Sequence, residues 1–375
     1  MEIRRAKQPI GIDLFSGAGG LSSGFEDAGF RIVYALEKDK YAAETYKQNR
    51  NGNTIVDLID IFAIRPENIL RKIGLHMGQL DILLGGPPCQ GFSIANMRTR
   101  NDNNPSNRLV YKFWEFVKGL MPKWFVMENV AGLEEYSKGK LKEELLKLFM
   151  ESGYNTKSIV LNAANFGVPQ KRRRIFFVGN RVKKRLDFLD SMNKTNSLPY
   201  VTVREAIDDL PILENGNSID HKPYAKNDKN ITQYQRIMRL RNGGEVSNNL
   251  VSMSTEIAVE RYKYIEQGQN WRAVAHKKPE LLYNYKDLSK CHQWIYLRLC
   301  WDKPSVVISN YRKNMLIHPE QDRGLSVREA ARLQSFPDNY VFYGPLGYQQ
   351  QQVANAVPPF VAKNIAGYIR ELFNP

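Results

Sequence analysis

Ile10-Gly11-Ile12-Asp13-Leu14-Phe15-Ser16-Gly17-Ala18-Gly19-Gly20 is the stretch on which the fold turns. Ile10 to Phe15 is a short apolar run that reads as a buried strand. It breaks into a glycine-rich turn, and Leu21 to Ala28 then carries helical spacing. Strand, glycine turn and helix in that order open a doubly wound α/β fold, whose ligands sit beyond the carboxyl ends of its strands. A second strand, Arg31 to Leu36, ends at Glu37. Glu37 stands 20 positions after Gly17, the spacing at which an acidic side chain meets a ribose hydroxyl.

The turn is G-x-G-G rather than G-x-G-x-x-G, and no lysine or G-K-[ST] follows, which excludes Walker-type phosphate binding. A cofactor with adenosine and ribose but no phosphates fits this turn better, namely S-adenosylmethionine. NAD and simple packing are the competing readings. A third unit spans Ile55 to Ile61. Its Asp60 could reach an adenine amino group, with Asp57 as the other choice.

Asp81-Ile82-Leu83-Leu84 reads as another buried strand, stopped by Gly85-Gly86 and followed by Pro87-Pro88-Cys89-Gln90-Gly91-Phe92-Ser93. Prolines set φ and cost little further entropy when ordered, so the direction of the Cys89 thiol is largely decided before a ligand arrives. That is how a nucleophile would be mounted, although a free cysteine is more often a small buried hydrophobe. Asn101 to Asn107 reads as the polar part of this loop, Leu109 to Leu120 as an amphipathic helix and Lys140 to Met150 as a charged one. Pro122 to Met127 is a strand with Glu128 at its end. That carboxylate is either solvated at a rim or desolvated in a cleft, where burial would suit it to donate a proton. In Gln170-Lys171-Arg172-Arg173-Arg174, strand alternation predicts Arg172 and Arg174 on one face and Lys171 and Arg173 on the other.

The 375 residues predict two domains, and their formal charge of +15 points to a nucleic-acid partner rather than to a particular fold. No apolar run approaches the roughly 18 residues that span a bilayer, and Met1 to Gln8 lacks a signal-peptide core. Cys89, Cys291 and Cys300 have no C-x-x-C spacing, which supports neither a disulfide framework nor a zinc site. A soluble protein of a reducing cytoplasm is the expectation. Beyond Asn180 the strand–helix rhythm is lost. From Arg261 to Lys313 there are 11 basic and 4 acidic residues among nine Tyr or Trp, a mixture suited to groove and phosphate contacts. Regular structure returns with Ser326-Val327-Arg328-Glu329, a capping box, and ends with a helix that starts at Pro358-Pro359. The expected division is 1–182, 183–321 and 322–375, the last returning to the first domain.

Taken in order, these segments resemble the cytosine-carbon-5 DNA methyltransferases, especially the bacterial modification enzymes. Asp13 to Gly20 resembles the family's cofactor loop and Gly86 to Ser93 its nucleophile loop. Glu128-Asn129-Val130 matches its E-N-V, and Gln170 to Arg174 its Q-x-R-x-R. Ser326 to Asp338 matches its scaffold helix, and Gln352 to Pro359 its closing cofactor motif, with Ala354 where a glycine often stands. The resemblance implies a Rossmann-like S-adenosylmethionine-dependent methyltransferase fold, a doubly wound and mostly parallel sheet, with a smaller irregular target-recognition domain. It implies Cys89 as nucleophile, Glu128 at the N3 and amino group of a flipped-out cytosine, Arg174 at its O2 and Arg172 near the nucleotide's phosphate. Phe15, Gly17, Gly19, Glu37, Asp60, Ile61, Pro88, Asn355 and Ala356 would line the donor. Double-stranded DNA is the implied substrate, with a monomer acting at the nucleoid of a bacterial cytoplasm and a restriction endonuclease as possible companion. A tRNA cytosine methyltransferase and a catalytically silent DNA-binding relative are the alternatives.

Overall fold

In the computed structural model, the described residues are 8–50, 52–88, 108–192, 199–240, 242–285, 287–309, 311 and 316–373. Contacts divide the chain into two compact units. The first comprises 1–166, 173–198 and 357–375, and the second 167–172 and 199–356.

The first unit is built on β1 (Ile10–Leu14), α1 (Gly20–Asp27), β2 (Arg31–Glu37), α2 (Lys40–Gln48), β3 (Ile55–Leu58), α3 (Pro66–Ile73), β4 (Ile82–Gly85), α4 (Arg108–Leu120), β5 (Trp124–Val130), α5 (Lys140–Glu151), β6 (Asn155–Asn162) and β7 (Arg173–Asn180). Among the described residues, seven strands form one sheet in the order β3-β2-β1-β4-β5-β7-β6. β1 to β5 are parallel, while β7 runs antiparallel to both β5 and β6. The sheet is the doubly wound, mostly parallel one expected. Its strand order reverses between β1 and β4, and at such a switch point two loops diverge and leave a crevice. Leu14, the last residue of β1, pairs with Gly85, the last of β4. The glycine turn and the Gly86-Pro87-Pro88 segment therefore leave the sheet side by side.

Both faces of the sheet are covered by apolar side chains. Ile12, Leu14, Leu83, Phe113, Phe116, Phe125, Phe149 and Phe177 belong to one buried cluster. On the other side, α1 packs against the C-terminal helix Pro359–Glu371. Gly24 is needed there, since a Cβ would lie 2.4–2.5 Å from Ala362, the Lys363 nitrogen and the Pro359 oxygen. Phe373 reaches the Phe30 ring at 5.7 Å, so the end of the described chain completes the core begun by β1 and α1.

The second unit is irregular, with helices of a few residues and a two-stranded pairing of Lys222–Pro223 with Glu245–Val246. Its centre is the helix Val327–Leu333, every residue of which is buried. The predicted capping box forms. The Ser326 hydroxyl accepts from the Glu329 N–H at 3.1 Å, and the Glu329 carboxylate accepts from the Ser326 N–H at 2.8 Å. Buried arginines in this helix and just before it anchor the unit. Arg332 pairs with Asp209 at 3.1 Å and Asp338 at 2.6 Å, and Arg323 pairs with Glu329 at 2.6 Å. Buried charges of this kind persist because each has its partner.

Two expectations differ from what is found. Residues 322–356 belong to the second unit, held by those arginine pairs, and only 357–373 return to the sheet. Part of the basic and aromatic mixture of 261–313 is internal. Arg261 is buried against the Leu281 carbonyl, Asn284 and the Tyr296 hydroxyl, and Arg298 against the carbonyls of Tyr262, Ile265 and His318. Tyr262, Trp271 and Tyr296 form a core around them. In a region with little regular structure, long guanidinium side chains satisfy the carbonyls that helices and sheets would otherwise pair.

Candidate active site

The turn after β1 takes its shape from three residues at positive φ: Phe15 at 56°, Gly17 at 53° and Gly19 at 90°. For Phe15 this backbone costs about 1–3 kcal/mol, a strain found where a loop must hold a functional shape. Glu37, the last residue of β2, locks the turn from the side. One carboxylate oxygen accepts the Gly17 N–H at 2.8 Å, and the other accepts the Lys38 and Asp39 N–H groups, each at 2.9 Å. Among the described residues nothing lies within 4 Å of where a Cβ on Gly17 would be, so they leave its outer side open. A Cβ on Gly19 would instead meet Tyr46 and Arg50 at 2.7 Å.

Beneath the turn lies a polar group that the sequence did not announce. The Arg50 guanidinium sits 3.6 Å above the Tyr46 ring centre, donates to the Gly19 carbonyl at 3.0 Å and pairs with Glu26 at 3.1 Å. The Ser22 hydroxyl donates to Asp13 at 2.5 Å and lies 2.7 Å from the Tyr46 hydroxyl. The other Asp13 oxygen and the Ser16 hydroxyl are buried without a hydrogen-bond partner among the described residues. A rigid turn with an open glycine, an acid at its flank and two orphaned polar atoms at its base fits a small polar ligand such as the amino-acid end of an adenosyl cofactor.

Burial pushes Asp13 up to about 7, against the opposing pull of Ser22 and Arg50. In the unfolded chain its carboxyl would ionise near pH 4. Folding therefore takes up a proton between those limits, and Asp13's contribution to stability is lost as pH rises through about 7. Asp13→Asn is accordingly expected to raise stability at pH 8 by on the order of 2–4 kcal/mol, and at pH 5 by only about 1 kcal/mol. Denaturant unfolding at the two pH values measures this. An equal effect at both would remove Asp13 as the source.

Asp57 and Asp60 separate clearly. Asp57 accepts from the Tyr34 hydroxyl at 2.7 Å and pairs with Lys72 at 2.5 Å. Asp60 is exposed at the end of the third unit, with one oxygen taken by the Phe62 N–H at 3.0 Å. Ile61, which follows it, is buried at 3% exposure. Asp60 is thus the residue turned outward, whereas Asp57 is engaged in holding β3 and α3 to the sheet.

On the other side of the switch point, β5 continues past the last pairing of β4, so Glu128 lies within that strand rather than at its end. It stands opposite Phe176 of β7, and Arg174 is two residues along the same face, opposite Val130. Diagonal neighbours on antiparallel strands are within reach of long side chains. Arg174 Nε meets Glu128 Oε1 at 3.0 Å. Burial pushes the guanidinium down from its ordinary value, and Glu128 pulls it back up. The second Glu128 oxygen lies 3.4 Å from where a Cβ on Gly86 would be, so the pair faces the start of the Gly86-Pro87-Pro88 segment. Asn129 secures that segment by donating to the Pro87 carbonyl at 3.2 Å. Pro88 is exposed. Cys89 and the rest of its loop through Asn107 lie outside the described residues.

Arg172 has a different setting from the one expected. β7 begins at Arg173, so strand alternation does not extend to Arg172. Its buried guanidinium donates at 3.0 Å to the carbonyls of Ile308, Ala354 and Ala356. These carbonyls are its hydrogen-bond partners among the described residues. Asn355 and Ala356 belong to the second unit, where Asn355 is an exposed residue ending the helix Leu346–Asn355. Sequence reasoning quoted Asn129 only as part of E-N-V, with no role of its own, and passed over Tyr46 and Arg50. The last two stand four positions apart, with Tyr46 in α2 and Arg50 just past its end, and that spacing is their only local signal.

A family model for C-5 cytosine-specific DNA methylases matches residues 11–371. Type II methyltransferase M.DdeI of Desulfomicrobium norvegicum is 35% identical over 379 residues, taking in 96% of this chain and 88% of that protein. Type II methyltransferase M1.HphI of Haemophilus parahaemolyticus is 37% identical over 357 residues, 95% of this chain and 85% of that one. Among solved structures, a prophage-encoded E. coli protein is similar with a TM-score of 0.75 at 27% identity, over 98% of this chain and 100% of that one.

Proposed function

Because this chain belongs to the C-5 cytosine-specific DNA methylases and is a DNA (cytosine-5)-methyltransferase, we propose that it acts through a transient bond between Cys89 and a flipped-out cytosine held by Glu128 and Arg174. The observation that carries this reading is the Glu128–Arg174 pair, at 3.0 Å, facing the segment that leads into Cys89. Carbon 5 of cytosine is too electron-poor to be methylated unaided. A thiolate added at carbon 6 makes the ring an enamine, and that addition places charge on N3 and O2. A carboxyl at N3 and a guanidinium at O2 answer that charge where it develops. Arg174 is held to Glu128 beforehand, so little reorganisation is needed when the base arrives. Ring faces are blocked inside a duplex, so the base must leave the stack.

S-adenosylmethionine would supply the methyl group as an electrophile beside carbon 5. Phe15, Gly17 and Gly19 would form the turn around it, with Glu37 at its ribose, Asp60 and Ile61 at its adenine, and Pro88, Asn355 and Ala356 as further contacts. Glu37 has a task besides any ligand, since it already holds the Gly17 N–H. The second unit would recognise the target site in double-stranded DNA, and the chain's +15 charge supports that partner. The Type II relatives support a role as the modification half of a restriction–modification pair in a bacterial cytoplasm, and a DNA substrate would place it at the nucleoid. One chain carries every group invoked, which supports action as a monomer. Bisulfite sequencing of DNA from cells expressing the chain tests the reading. Methylcytosine confined to one short duplex sequence is expected. Methylation of transfer RNA but not of DNA would overturn it.

A further inference from the structure

Gln170 and Arg172 stand in the same short motif as Arg174, yet their side chains act elsewhere. The backbone of 169–171 joins that of Ser305, with the Lys171 N–H donating to the Ser305 carbonyl and the Ser305 N–H to the Pro169 carbonyl, each at 2.9 Å. The Gln170 amide accepts the Ile308 N–H at 2.8 Å and donates to the Leu333 carbonyl at 3.0 Å and the Gln334 side chain at 3.1 Å. Gln334 in turn donates to the Val353 carbonyl at 2.9 Å. Arg172 completes the set with its three carbonyls at Ile308, Ala354 and Ala356.

These contacts converge on one helix end. The last carbonyls of a helix have no partner within it, and a cation there is favoured by the helix dipole. One Arg172 nitrogen, Nη2, bridges the carbonyls on either side of Asn355, at 3.0 Å each. The Asn355 side chain is left exposed, with its oxygen accepting from Gln351 at 2.7 Å. Arg172 is 1% exposed and Gln170 fully buried, so neither is presented to a nucleic-acid backbone.

We infer that Arg172 is a positioning residue for the Ala354–Ala356 turn, and that it governs binding of the methyl donor rather than of the nucleotide phosphate. The inference rests on the reading that Asn355 and Ala356 touch the donor. A planar fork can bond Ile308 and the turn at once, which a lysine's single point charge cannot.

The experiment compares Arg172→Ala, Arg172→Lys and Asn355→Ala in the full chain. It reads the Kd for S-adenosylmethionine without DNA, the Kd for duplex DNA over a salt series, and amide exchange at 353–357. Arg172→Ala is expected to weaken donor binding about ten- to a hundredfold and to speed that exchange, with the DNA salt slope unchanged. Arg172→Lys should fall between it and the parent, and it carries the test if the alanine variant does not fold. A donor Kd within twofold of the parent, together with a DNA salt slope reduced by about one, would overturn the inference and make Arg172 a phosphate contact. Unchanged exchange at 353–357 would overturn the clamp itself. If exchange rises while Asn355→Ala leaves the donor Kd unchanged, the clamp stands and the donor contact at Asn355 fails.

Discussion

Glu128→Gln is expected to lower the rate of methyl transfer by about 10²–10⁴ under single-turnover conditions, with DNA and donor both saturating. The substitution keeps the shape of the side chain and its place in β5, where residue 128 is 8% exposed and opposite Phe176. What it removes is the charge paired with Arg174 at 3.0 Å and the ability to exchange a proton with cytosine N3. Both matter most as charge develops on the ring, so the loss should fall on the chemical step and leave the Kd for DNA within a few-fold. Arg174, with burial already pushing its guanidinium down, loses the neighbour that opposes that push. If the variant kept more than about a tenth of the parent's rate, charge at N3 would not limit the reaction, and Glu128 would be a strut for Arg174.

How much of this was legible beforehand depended on whether a side chain answers to its neighbours in sequence or to distant packing. The strand, turn and helix of 10–28 are local matters of apolar spacing and glycine, and they stand within a few residues of where they were read. Glu37 closes β2, on the edge where all the parallel strands end. The Ser326 capping box is likewise local, three residues across. Arg172 has partners 136 to 184 positions away in sequence, out of reach of any local reading. Alternation says which face a side chain takes only while the strand lasts, and β7 begins one residue later. Glu128 was placed at a strand end because its polarity interrupts an apolar run. The strand continues because β7 supplies an antiparallel partner through Val130, which nothing nearby in sequence foretells. Arg261 and Arg298 carried charge that composition assigned to a DNA-facing surface. Both are inside, since a region poor in regular hydrogen bonding needs donors for its own carbonyls.

Cys89→Ala is expected to abolish methyl transfer, with a fall of at least about a thousandfold, while DNA and donor are bound as before. Alanine removes only the sulfur, and the neighbouring segment keeps its anchors. Asn129 holds the Pro87 carbonyl at 3.2 Å, and the two prolines restrain the backbone that enters residue 89. Binding should survive because phosphate contacts and the cofactor turn involve other residues. A second observation separates loss of the nucleophile from damage to the loop. In DNA bearing 5-fluorocytosine at the target, no proton is present at carbon 5 to be removed after methyl transfer, so the thiol cannot leave. The parent chain should then remain joined to the DNA in denaturing gels, and the alanine variant should not. Cys89→Ser tests the same point from the other side. A hydroxyl fits the site but is far less nucleophilic at neutral pH than a thiol that ionises near 8.5, so it too should fail to form the adduct. Retained turnover in the alanine variant would mean that carbon 5 is activated without addition at carbon 6, and the roles given to Glu128 and Arg174 would lose their chemical basis.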